Sequence, residues 1–284
     1  PEDDGISLLA NTLNTLPRKH GRIGATLGIE SHLRMPINNY ALLTSMISSD
    51  FVDVSLDVHT LRQIKSEAEI AKTREICRIT NAGFDKIPTY AKVGMTEREI
   101  CKQFSIDMMR EGADETPFVI AGSGPDGYYE ILMGPTDRVI DSGDVWDGYF
   151  SDFDRNWAFG RASEQTKAAY RATYEATTKG FEAARPGATT TDIYNAMWNV
   201  LEANGALGSD IGRLGHGLGM ELTERPSHTA TDNTVLLPGM VLTLAPGMTY
   251  ALDKMMLHEE NIVITEDGAE WLTERAEPEL IIID

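Results

Sequence analysis

The chain has 284 residues, 42% apolar and 24% charged, an ordinary composition for a globular protein long enough to bury a core without disulfides. Its 25 Lys and Arg against 44 Asp and Glu give a net charge of −19 and a sequence pI near 4.7. A general nucleic-acid binder or a binder of anionic membranes is excluded, because such a chain repels phosphate. Cys77 and Cys101 lie in helix-like stretches and make no disulfide framework, and no apolar window is long enough for a membrane span. The chain opens at Pro1 without an initiator Met, as a cleaved chain or a part of a longer polypeptide would. A cytoplasmic enzyme or binding protein is the expectation.

In chain order, Leu8, Leu9, Leu13 and Leu16 have helical spacing, Ile23 to Ile29 reads as a strand, Asn38 to Ile47 as a helix and Phe51 to Val54 as a strand. These elements suit part of a small α/β domain, over residues 1–58. Ser66 and Glu69, then Thr96 and Glu99, form capping-box patterns that open two helices, the second stopped by Gly112. Helices follow from about Ser163 to Arg185 and through Ile193, Met197 and Leu201. Strands are expected at Thr116–Ala121, Val145–Tyr149, Asn156–Phe159, Met240–Leu244 and Glu260–Thr265. Helix pairs set between groups of strands predict an α+β domain over residues 59–284 with an antiparallel or mixed sheet.

Three constellations could carry chemistry. Between Asp141 and Asp154 there are five Asp in fourteen residues. Crowded carboxylates raise one another's pKa unless a cation separates them, although a solvated acidic loop reads the same way. In Gly215-His216-Gly217 the flanking glycines leave the imidazole unobstructed and let backbone approach a ligand; a structural His is the plainer alternative. In Leu257 to Thr265, acidic residues including Glu259 lead into an apolar strand, as at many solvated sheet edges. Together, hard oxygen donors and an imidazole suit Mn, Fe, Co or Zn in a hydrolytic site.

From about Arg62 onward the chain resembles the creatinase, prolidase, aminopeptidase P and methionine aminopeptidase family, whose catalytic domain has the pita-bread fold. The resemblance rests on Arg62-Gln-Ile-Lys-Ser66, Asp147-Gly-Tyr-Phe-Ser-Asp152-Phe-Asp-Arg155, Gly215-His-Gly-Leu-Gly219, Glu224-Arg-Pro226, Pro238-Gly-Met240, Pro246-Gly247 and Glu259-Glu-Asn-Ile-Val-Ile-Thr265. The small α/β segment favours the creatinase/prolidase branch, of whose N-terminal domain residues 1–58 look like the latter half.

The resemblance implies a divalent-metal hydrolase with two Asp, one His and two Glu as ligands. Asp152, His216 and Glu259 match the second Asp, the His and the last Glu. For the first Asp two alignments fit: Asp141, eleven residues before Asp152, or an alignment matching more positions in which the segment carrying it is absent. Ala245 stands where the family has its other Glu, Thr223-Glu224 where it has His-Glu, and Leu132 roughly where this branch often has a substrate-facing His. The implied function is hydrolysis of a C–N bond in a small peptide-like substrate, of Xaa-Pro dipeptidase or aminopeptidase type, with metal binding reduced in this chain. Two alternatives stay open: a metal-independent, creatinase-like amidinohydrolase in which His216 with Glu224 or Glu259 moves protons, and a non-catalytic binding homologue. A homodimer acting on a small peptide or amide, with no nucleic-acid or membrane partner, is the expected assembly.

Overall fold

A computed structural model describes residues 3–17, 19–132, 134–208 and 212–284. The chain forms two compact units, Pro1–Arg62 and Gln63–Asp284. In the first, α1 (Ile6–Thr15), β1 (Arg22–Ala25), α2 (Ile37–Met46), β2 (Asp50–Asp53) and α3 (Ser55–Gln63) follow one another. β1 and β2 pair in parallel, and Ile6, Ala10 and Leu43 make a small buried cluster.

The second unit begins with α4 (Glu67–Phe84) and α5 (Glu97–Glu111), and both expected capping boxes are present. Ser66 N–H donates to Glu69 Oε2 at 2.8 Å, and Glu99 N–H to Thr96 Oγ1 at 3.1 Å. Gly112 ends α5 in the left-handed region, at φ 115°. There follow β3 (Ile120–Pro125), β4 (Asp144–Phe150), β5 (Phe153–Phe159), α6 (Glu164–Ala183) and α7 (Thr190–Ala203), the last opened by a further capping box of Thr189 and Asp192. The remaining strands are β6 (Gly215–Gly217), β7 (Glu224–Ser227), β8 (Val241–Leu244), β9 (Gly247–Ala251), β10 (Lys254–Leu257), β11 (Glu260–Ile264), β12 (Ala269–Trp271) and β13 (Ile281–Ile283).

One sheet has the order β13-β5-β4-β3 and another β12-β11-β8-β6-β7; β9 and β10 form a separate ribbon. Among the described residues the pairings in this unit are antiparallel except β13 with β5, so the first sheet is mixed and the second antiparallel, within what the helix-and-strand grouping predicts. The expected strand at Thr116–Ala121 is displaced to Ile120–Pro125. Pro117 has no amide N–H to give a ladder, whereas Gly122 and Gly124 extend the strand where backbone carbonyls at Glu130 and Gly127 crowd in.

One turn of this frame matters for the site. β4 and β5 are joined by Ser151 and Asp152 alone, at φ 57° and 61°, with Phe150 opposite Phe153. Positive φ at both central residues matches the right-handed twist of the flanking strands, and it puts Asp152 at the tip of the hairpin. That tip is tied to the larger sheet, because Thr243 Oγ1 donates to Asp152 O at 3.1 Å and Asn261 Nδ2 to Ser151 O at 2.9 Å.

Candidate active site

The hairpin tip, β6, and the turn from β10 into β11 surround a cavity of ≈ 150 Å³. Asp152, His216 and Glu259 all line it, although the first and last are over one hundred residues apart. Arg213, Tyr149 and Ala245 contribute to its walls, and Leu132, 74% exposed, lies at its edge. Asp147 lines it too. Alternation along β4 puts Asp147 and Tyr149 on one face, and the two-residue turn sets Asp147 opposite Asn156 and Tyr149 opposite Asp154. That register is the signal by which Asp147 could have been found; the motif that begins with Asp147 gives it no role.

Asp141 is not brought to this cavity. It is exposed in the turn before β4, where its N–H donates to Asp144 Oδ2 at 2.7 Å and its carboxylate accepts from Ser142 N–H. Glu224 is buried but does not line the cavity: it pairs with Lys65 Nζ at 3.0 Å. Two other motif residues have structural partners. Arg155 pairs with Glu260 at 3.2 Å and lies over the Phe153 ring, and His258 stacks on Tyr174 with its Nε2 3.4 Å from Glu260.

The glycines around His216 have a different reason from ligand access. A Cβ on Gly215 would collide with Thr243 O and, at 2.5 Å, with the buried His228 ring; on Gly217 it would collide with Arg225 O. The three-residue strand β6 is squeezed between β7 and β8, and only glycine permits that approach. Gly215→Ala, at φ 134°, is therefore expected to cost at least about 3 kcal/mol, readable in urea denaturation. A variant within 1 kcal/mol of the parent, roughly the cost of an ordinary substitution, would contradict this.

His216 Nδ1 lies 2.9 Å from Gly217 O, and since a carbonyl only accepts, Nδ1 is the donor of this hydrogen bond. Asp152 Oδ2 is 3.6 Å from Nδ1, and Tyr149 O–H donates to Asp152 Oδ1 at 2.6 Å. Burial raises the pKa of Asp152, outweighing the opposing influence of His216 and the Tyr149 hydrogen bond. Glu259 is pushed well up by burial and then by the charges of Asp152 and Asp154. Asp147 is likewise raised, by burial first and then by Asp154. His228, behind Gly215, is held neutral by burial, its pKa pushed down to about 3.

Asp147 Oδ1 and Oδ2, Asp152 Oδ2 and Glu259 Oε2 are buried without a hydrogen-bond partner, so a cation or protons are called for. A pair of metal ions does not fit the residues present. Ala245 offers no donor, and among the described residues no group of three or more His, Cys, Asp or Glu is placed to hold an ion. With no cation among these buried carboxylates, protonation relieves their mutual repulsion.

The model of metallopeptidase family M24 matches residues 71–266. The uncharacterized peptidase YqhT of Bacillus subtilis is 33% identical over 273 residues, covering 90% of this chain and 75% of its own. A probable dipeptidase PepE of Mycobacterium tuberculosis is 31% identical over 218 residues, 74% of this chain and 58% of its own. Among solved structures, the Xaa-Pro dipeptidase of Bacillus anthracis superimposes with a TM-score of 0.84 at 26% identity, over 98% of this chain and 78% of that one. The architecture is thus the pita-bread fold of these peptidases, as the sequence motifs imply.

Proposed function

Because the chain belongs to metallopeptidase family M24, we propose that its cavity binds a small peptide and hydrolyses a C–N bond of Xaa-Pro dipeptidase type. The observation that carries this reading is the meeting of Asp152, His216 and Glu259, from three distant parts of the chain, in one cavity. The family is one of metallopeptidases, yet the donor set here does not fit a metal pair, so the chemistry is derived from side chains alone. His216 Nε2 takes a proton from water as its oxygen attacks the scissile carbonyl. A protonated carboxyl, Glu259 or Asp152, gives its proton to the departing amine nitrogen as the C–N bond breaks. Arg213 offsets the charge that builds up on the cavity wall.

Release of proline from Ala-Pro tests the reading. His216→Gln is expected to lower kcat/KM by about 100-fold or more with little change in melting temperature. Turnover that survives the substitution would overturn the role of His216. A second reading is favoured by one residue: with Ala245 in place of a carboxylate, the cavity serves as a peptide-binding site without turnover. Calorimetric binding of Ala-Pro with no proline released would select it.

The homodimer and the cytoplasmic location are part of the same proposal. Two buried, free cysteines, Cys77 and Cys101, agree with a reducing compartment. Among the described residues no helix is long and apolar enough to cross a membrane. Light scattering decides the dimer.

A further inference from the structure

We infer that the buried Lys65–Glu224 ion pair is a positioning device: it fixes the segment Leu218–Thr223 as the wall between the carboxylate cavity and an apolar neighbour, and so sets which side chain a substrate can present. The inference rests on the cavity being a peptide site. It also reassigns Glu224, which the motif reading makes a proton carrier, to acting through that segment.

Both side chains of the pair are 5% exposed and 3.0 Å apart. The Glu224 carboxylate also accepts from Met220 N–H at 2.9 Å and Glu221 N–H at 3.2 Å, so it gathers the segment from within. A Cβ on Gly219 would stand 2.6 Å from Glu224 Oε2, which leaves that approach to glycine. Lys65 is itself fixed to the sheet: its N–H donates to Gly239 O at 2.8 Å, and Gly239 N–H donates to Ile264 O at 2.9 Å. The segment has no regular secondary structure of its own between β6 and β7, and Met220 is 82% exposed. Leu218 is held by the core and by its N–H to Val241 O at 3.1 Å, whereas Gly219 to Thr223 are exposed, so the position of that exposed stretch is set by the ion pair more than by packing.

The neighbouring cavity, ≈ 400 Å³, is lined by Ile76, Phe118, Phe150, Leu218, Met220 and Leu222. Phe118 and Leu222 line the carboxylate cavity as well, so the two spaces share a wall. A dipeptide held by the carboxylate cavity would direct an apolar side chain across that wall. A buried charge pair gives such a wall one defined position, since a slack segment would leave both charges unpaired.

The test compares Lys65→Met, Glu224→Gln and the double variant with the parent. Three quantities are measured: melting temperature, amide hydrogen exchange over residues 218–223, and calorimetric affinity for Leu-Pro and Gly-Pro. Lys65→Met is expected to speed exchange in the segment and to reduce a Leu-Pro preference of about tenfold or more toward unity. In the double variant no buried charge is left alone, so the melting temperature should recover while the preference stays lost. A purely structural pair predicts the opposite, with selectivity returning alongside stability, and that result overturns the inference. Unchanged exchange over 218–223 in Lys65→Met overturns it too. If the parent binds neither dipeptide, the peptide reading fails and takes the selectivity claim with it, while exchange still decides whether the pair anchors the segment.

Discussion

Asp147→Asn is expected to make the protein more stable, on the order of 2 kcal/mol at pH 7, and to flatten its loss of stability toward alkaline pH. Asp147 is 1% exposed and has no hydrogen-bond donor to either oxygen. Its neighbour Asp154 has two, Asn156 Nδ2 at 2.6 Å and Glu259 N–H. The proton the pair must share therefore resides on Asp147, whose pKa burial and the Asp154 charge raise well above that of an unfolded aspartate. A raised acid holds a proton in the folded state that the unfolded state gives up above about pH 3.9. Stability then falls by about 1.4 kcal/mol for each pH unit from there up to the folded pKa. Asparagine can still donate to Asp154 but has nothing to titrate.

The comparison runs upward from about pH 4, where the unfolded aspartate begins to lose its proton. His228, with its pKa pushed down to about 3, contributes the opposite slope, losing stability as pH falls below the unfolded histidine value of about 6.5. That slope is common to both proteins and cancels in the difference between them. Urea denaturation of the two proteins at three pH values across this range reads the difference. Parallel slopes, or a variant less stable throughout, would refute a protonated Asp147.

What could be read from the residues is what depends on local chemistry. Ser66 with Glu69 and Thr96 with Glu99 open α4 and α5 because a cap satisfies its own helix end without tertiary help. His216 and Asp152 stand out for their short surroundings of glycine and acid, and the family motifs carry Glu259. Asp147 needed the register of β4 on β5, which depends on a turn of only Ser151 and Asp152. Glu224 needed knowledge of Lys65, 159 residues away in sequence. The glycines beside His216 looked like an opening for a ligand, yet the carbonyls of Thr243 and Arg225 on the adjoining strands occupy the space. Asp141 has the family's spacing to Asp152, but spacing measures distance along the chain only; the short hairpin leaves it in the turn before β4.

Ala245→Glu is expected to convert this cavity from one that gathers protons into one that holds a metal ion. Ala245 is 5% exposed, lines the cavity with Asp152, His216 and Glu259, and is fixed by its N–H to Leu214 O at 3.0 Å. A carboxylate added there has no cation to meet in metal-free protein, and one more buried charge among raised carboxylates should cost about 2 kcal/mol or more. Mn²⁺ or Zn²⁺ reverses the sign, because each carboxylate then supplies an oxygen donor and gives up its proton. Metal at 100 times its dissociation constant stabilises the folded state by about 2.7 kcal/mol, enough to return the melting temperature to the parent's or above it. The expected pattern is thus a variant less stable than the parent in chelator and at least as stable in Mn²⁺, with metal affinity raised about tenfold or more. Metal analysis of both purified proteins, with melting curves in chelator and in Mn²⁺, reads both halves. Two tightly bound ions in the unsubstituted protein would refute the premise that its donor set is too small. Equal affinity in the two proteins would instead place residue 245 outside the reach of any ion held by Asp152, His216 and Glu259.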